Sequence, residues 1–385
     1  MSLSRNRFLS VVIPLLAAIA PLRAGVPQAY KWSVQYLIDN SQTVFGRSQA
    51  VYPRAERGLA ISPDGNFLYT GYIQSFNNGN NILDRNMRST NTGEVRKIDL
   101  RIADYENATK AVLLYHRAKA IAVDDEEHVY LADGASIDVY DPDLQKSELS
   151  IPMDTCEGVA VTHEGGDLVL YATERNQREL HRFLIDTRFG SEGCQATPAG
   201  LGGSGVMTIP GALSLRGVAV DSQGRIWMAD ADADSVFRIN PDGSGLVSAT
   251  VPKAMAVAFY NDTALVTRGT DRQIALVSPD MVVEGNLAVP WEQLELAPYG
   301  NNRDSALSGI AVIPGNKGFY VVNEHGQTAN QKSTYGRPDQ NSEVINGKLY
   351  IDAYQDDNEP ILRAVPVLIE DAAAAASPIP IGSQP

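Results

Sequence analysis

The chain has 385 residues, 44% of them hydrophobic and 20% charged, the make-up of a folded globular protein. Its formal charge is −14 and its pI about 4.8, which excludes a nucleic-acid binder that works through a basic footprint. The length would hold two average domains, yet one repeating pattern runs from about residue 58 to 354, so a single large all-β domain is the better count.

Residues 1–24 read as an export signal. Arg5 and Arg7 form a basic start, Phe8 to Ala20 an apolar core, and Leu22-Arg23-Ala24 a cut site ending in a small residue. The apolar run is too short for a membrane span, and no later stretch approaches the ~20 residues that one needs. The expected product is secreted or periplasmic, with no integral membrane segment in the mature chain.

From residue 58 a phrase recurs: a small residue, an apolar strand, a tight polar turn, a second apolar strand. Its copies begin at Gly58, Ala120, Gly158, Gly217, Met255 and Gly309. Runs of Val, Ile and aromatics flank turn residues such as Pro63-Asp64-Gly65, which is the pattern of a β-hairpin. A strand-built unit repeated in this way predicts an all-β fold, a six-bladed β-propeller of four-stranded antiparallel blades over residues 25–371. In the fourth copy, strands A to D fall at Gly217–Val220, Ile226–Ala229, Val236–Ile239 and about Gly245–Val251. A closed ring avoids an open sheet edge, and Trp32–Ile38 and Ile361–Ile369 are the two candidates to complete the last blade. Residues 372–385 are rich in Ala, Ser and Pro and read as a disordered tail.

Cys156 and Cys194 are the only cysteines. Export permits a disulfide, but Cys156 abuts an inner strand and Cys194 sits in a Gly-rich connector. Bridged and free thiols both remain open.

Meander geometry puts B–C and D–A connections on one rim of the ring and A–B turns on the other. The A–B turns are short. The long B–C inserts 74–92 and 325–344, and the D–A connection 290–308, gather on the first rim, where function is expected. The residues just before each strand A face the channel mouth there: Arg57, Lys119, Glu157, Arg216, Lys253 and Ser308. Four cations around a narrow axis, in an acidic protein, point to a site for a small anionic ligand or a partner's carboxylate, because arginine presents a fork matched to such groups. Glu157 and nearby carbonyls satisfying the cations is the structural alternative. Asn323 and Glu324 end a strand B on the same rim and join the ligand-binding candidates.

Weaker signals are present for chemistry. His325 follows Glu324, and His116 lies in the connection between the first two blades; either could act as a general base. Asp230-Ala-Asp232-Ala-Asp234 alternates carboxylates as calcium loops do, without the Gly and distal Glu of an EF-hand. No G-x-S-x-G elbow, H-E-x-x-H or phosphate loop is found.

The phrase from Arg216 to Gly245 (RGVAVDSQGRIWMADADADSVFRINPDGSG) resembles repeats of the NHL type and of the SMP-30/gluconolactonase-like propellers, six-bladed TolB-like scaffolds. That resemblance implies a divalent metal, usually calcium, held at the channel mouth by a Glu-Gly element with Asn and Asp from other strands. Glu157-Gly158 matches the Glu-Gly element, which makes Glu157 a metal and catalytic candidate. Arg57, Lys119, Arg216 and Ser308 occupy the other starts and cannot supply the remaining oxygens. The expectation is an exported propeller that binds a ligand or partner on the B–C/D–A face without a cofactor. A lactonase-like hydrolase or lyase, and an interaction scaffold of the cell envelope, are the alternatives.

Overall fold

The computed structural model describes residues 30–37, 56–72, 93–102, 108–114, 118–145, 147–186, 188–189, 194–271, 273–289, 305–325, 342–345, 348–351 and 360–366. The expected signal 1–24, the tail 372–385 and almost all of the long inserts lie outside them. Among the described residues no helix is long and apolar enough to cross a membrane.

Strand β1 (Tyr30–Leu37) opens the chain. Strands β2 (Glu56–Ile61), β3 (Phe67–Tyr72), β4 (Gly93–Asp99) and β5 (Thr109–Leu114) form one antiparallel meander. A second contains β6 (Ala120–Val123), β7 (Val129–Ala132), β8 (Ser136–Tyr140) and β9 (Ser147–Pro152). Next come β10 (Cys156–Glu164), β11 (Asp167–Glu174) and β12 (Glu179–Ile185). The outer position beside β12 is shared by β13 (Ala196–Pro198) and β14 (Val206–Thr208), with a short 3-10 turn at Leu201–Gly203 between them. Two regular meanders follow: β15 (Leu215–Val220), β16 (Ile226–Asp230), β17 (Ser235–Ile239), β18 (Val247–Thr250), then β19 (Ala254–Tyr260), β20 (Thr263–Arg268), β21 (Gln273–Val277), β22 (Val283–Ala288). After β23 (Ser305–Val312) and β24 (Phe319–His325), β25 (Ser342–Ile345) and β26 (Lys348–Ile351) make a separate two-stranded hairpin. Strand β27 (Pro360–Pro366) pairs with β24, and β1 pairs with β27.

The fold is a β-propeller of antiparallel four-stranded sheets. Five sheets have four strands, not the six expected, because the one built on β10 has five. Inner strands touch in the order β2, β6, β10, β15, β19, β23, and β23 returns to β2. Both terminal segments complete the last sheet: β27 supplies its third strand and β1 its outer one. Strand β1 covers the edge that β27 would otherwise expose.

Apolar side chains from facing sheets fill the spaces between blades. Tyr130, Ile137 and Val139 pack against Val159, Leu170 and Phe183, while Leu59, Leu68 and Ile98 meet Ala311, Tyr320 and Val322 where the ring closes. Two of the A–B turns are fastened by buried acidic caps. Asp221 accepts from the backbone of Gln223 and Arg225 and from Nε1 of Trp227 at 2.9 Å, and Asp124 accepts from the Tyr130 hydroxyl at 3.0 Å. An apolar strand and a polar turn are thus locked by one buried carboxylate each.

The small residue opening each repeat has a steric cause. A Cβ on Gly158 would lie 2.3 Å from the Arg216 carbonyl oxygen, and one on Gly309 would lie 2.6 Å from that of Arg57. Neighbouring inner strands approach backbone to backbone at these points, and only the smallest side chains permit it.

Candidate functional site

The side chains at the channel mouth are aimed by bulges. Register shifts fall between Glu56 and Gly58, Cys156 and Gly158, Leu215 and Val218, Ala254 and Val257, and Leu307 and Ile310. Each shift releases a residue from the ladder and lets it turn out of the sheet. The residues so released include Arg57, Glu157, Arg216, Met255 and Ser308; Lys119 takes the matching place immediately before β6. They line a cavity of about 100 Å³ on the channel axis.

Five of the six expected ring members are therefore brought together. Lys253 is the exception. It lies two residues upstream of the bulge, its ammonium is 3.6 Å from Asp232 and 3.8 Å from Asp234, and Met255 holds the ring position instead. The small residue of this repeat is Ala256 rather than Met255, so Met255 stands before it and, among the described residues, the ring has three of the four expected cations.

Those three converge on one carboxylate. Lys119 Nζ is 2.5 Å from Glu157 Oε1, Arg216 Nη1 is 3.1 Å from Oε2, and Arg57 Nη1 is 3.3 Å from Oε2. Arg175, which the sequence did not single out, reaches Oε1 at 3.7 Å from the turn between β11 and β12. The Glu157 side chain is only 2% exposed. Burial pushes its pKa upward, but Lys119, Arg216 and Arg57 together outweigh burial and hold it below the usual glutamate range. Glu157 is accordingly ionised at neutral pH, with Lys119, Arg216 and Arg57 gathered on its two oxygens. The Nε of Arg216 is buried and makes no hydrogen bond. Thr173 donates to the Arg216 carbonyl, and Thr267 donates to that of Ser308 at 3.0 Å, which holds the ring backbone in place.

The other candidates fare differently. Asn323, Glu324 and His325 end β24, opposite Leu307, Ala306 and Ser305, and their side chains lie outside the described residues. His116 lies outside them too. Asp230 is fully buried and accepts from the backbone N–H groups of Leu213, Ser214, Asp232 and Ala233 at 2.7–3.0 Å, which occupies both oxygens in fastening a turn. Cys156 and Cys194 are free thiols; Cys156 is buried, and burial raises its pKa.

The fold and this axial site define the chain as a β-propeller with a charged channel mouth. No family model and no curated protein matches its sequence. Among solved structures, a protein of unknown function from Bacteroides thetaiotaomicron aligns with a TM-score of 0.50 at 13% identity, covering 88% of this chain and 76% of the other. A virginiamycin B lyase from Staphylococcus aureus aligns at 0.47 and 10% identity, covering 88% and 100%. A structure of a nidogen/laminin complex aligns at 0.46 and 13%, covering 61% and 80%. At such identities the likeness is one of fold alone.

Proposed function

We propose that this chain is an exported six-bladed β-propeller that binds a small anion, or the anionic end of a larger ligand, at its channel mouth. The observation behind this is the convergence of Arg57, Lys119 and Arg216 on the single buried carboxylate of Glu157. Lys119 and Arg216 bring two cations to one carboxylate, and a second negative group in the cavity would balance them. Buried Arg216 Nε, without a partner, supplies a donor for it. A cavity of about 100 Å³ suits a phosphate, sulfate or carboxylate group rather than a drug-sized molecule, which takes roughly 300 Å³ or more.

The sixth blade is the sheet on β10, with β13 and β14 as the two halves of a split outer strand. Affinity with NHL-type and SMP-30/gluconolactonase-like scaffolds rests on the phrase from Arg216 to Gly245. Export rests on residues 1–24. The lactonase-like alternative asks Glu157 to ligate a divalent cation, and the three cations already on its oxygens oppose that.

Thermal denaturation in graded sulfate or phosphate tests the proposal. The melting temperature should rise as ligand occupies the folded state, worth roughly 2.7 kcal/mol at a hundredfold excess over Kd. Arg216→Gln combined with Arg57→Gln should abolish the rise. Calcium stabilising the protein where anions do not, with Glu157→Gln removing the effect, would decide for the lactonase-like alternative.

A further inference from the structure

A second cluster stands where β11 turns into β12. Glu174 ends β11 and Glu179 opens β12, and the two face each other directly across the ladder. His181 lies two residues beyond Glu179, hence on the same face of the sheet. Its Nε2 is 3.3 Å from Glu174 Oε2 and 3.4 Å from Glu179 Oε2. One donor atom from each residue lies within 4.8 Å of the other two.

Three features mark this as more than a chance meeting of charges. His181 Nε2 is buried and makes no hydrogen bond, although it points between two carboxylates. The Glu174 side chain is only 9% exposed, and among the described residues its ionic neighbour is this histidine rather than Lys or Arg. Like charges directly opposite in a ladder repel, so Glu174 and Glu179 gain from a cation between them. The two imidazole–carboxylate spacings also fit. Donors bound to tetrahedral zinc at about 2.0–2.1 Å stand roughly 3.3–3.4 Å apart.

We propose that Glu174, Glu179 and His181 bind one divalent ion of the zinc type through Oε2, Oε2 and Nε2. Three protein ligands including an imidazole favour zinc over calcium or magnesium, which gather about six or more oxygens. Thr208 on β14 donates to Glu179 Oε1 at 3.4 Å and steadies that carboxylate from outside. The ion would close the turn 175–178, the same turn that carries Arg175 to Glu157.

The test uses the full untagged chain, stripped with a chelator, then titrated with Zn²⁺ by calorimetry and with Co²⁺ by absorption. One ion per chain is expected, with the visible bands of four-coordinate cobalt and no thiolate charge-transfer band. Supporting residues around a metal alter affinity by about 10–100-fold, so loss of a ligand in His181→Ala should weaken binding by at least ~100-fold. Glu179→Gln, at a partly exposed position, should weaken it by at least ~10-fold and decides the matter if His181→Ala fails to fold. Arg216→Gln should bind metal as the parent does, which separates this site from the channel. Absence of stoichiometric binding, binding unchanged in both ligand variants, or a thiolate band pointing to Cys156 or Cys194 would each overturn the proposal.

Discussion

Arg216 and Glu157 stand on adjacent inner strands, 59 residues apart in sequence, with Nη1 of the arginine 3.1 Å from Oε2 of the carboxylate. The same Oε2 lies 3.3 Å from Arg57, and Lys119 takes the other oxygen. One side chain from one sheet thus ties together cations from three others. Stability of the ring and the charge at its axis depend on the same atoms.

Glu157→Gln takes away the carboxylate that Lys119, Arg216 and Arg57 share. Removing one partner of a buried ion pair typically costs about 3–5 kcal/mol. The denaturant midpoint should fall accordingly at unchanged m-value, and added sulfate should restore part of the loss. A variant as stable as the parent would mean that the cations are screened by solvent.

Acid should weaken the protein through the same residue. The folded-state pKa of Glu157 is lowered, so its stabilisation is fully present above the unfolded value of about 4.3 and is lost as pH falls through the lower folded value. Chemical denaturation from about pH 5 downward should show a smaller loss in Glu157→Gln than in the parent. Parallel curves would place the acid sensitivity elsewhere.

Gly158→Ala puts a methyl group 2.3 Å from the Arg216 carbonyl oxygen and 2.7 Å from Thr173 Oγ1. Neighbouring backbones must separate, at a cost of about 1–3 kcal/mol. Because the displaced strand carries Arg216, the sulfate-dependent rise in melting temperature should shrink as well. An unaltered rise would show that the two inner strands can move apart without disturbing the site.

Strand β1 holds the last sheet shut, and Tyr30 anchors it. The residue is 7% exposed, with ring centroids 5.2 Å from Phe319 and 6.5 Å from Tyr260. Tyr30→Ala should cost about 3–5 kcal/mol, in the range for large aromatics cut back to alanine. Deleting residues 30–37 should expose the edge of β27 and give aggregation visible by light scattering. A monomeric deletion variant of parental stability would deny β1 its part in closure.

What repeats locally was legible in the chain. Strands β16 and β17 fall at Ile226–Asp230 and Ser235–Ile239, within a residue of where the alternation of apolar residues and turn chemistry put them. The small residue in most of the inner strands, and with it Arg57, Lys119, Glu157, Arg216 and Ser308 at the mouth, follows from the same pattern. Each of these depends on neighbours within a hairpin, whose spacing the sequence states directly.

Longer-range relations were settled by the tertiary structure. Lys253 is out of the ring because the shift between Ala254 and Val257 frees Met255 and Ala256, the counterparts of Arg216–Gly217 and Ser308–Gly309, so Met255 takes the place before the small residue. Arg175 meets Glu157 only because the turn after β11 folds back beside the start of β10. The outer strand beside β12 is divided between β13 and β14, and the two ends of the chain share the closing sheet, because closure is a property of the whole ring. The period of a strand is written in its own residues. The charge balance at the axis is decided only once neighbouring sheets bring Arg57, Lys119 and Arg216 within reach of one buried glutamate.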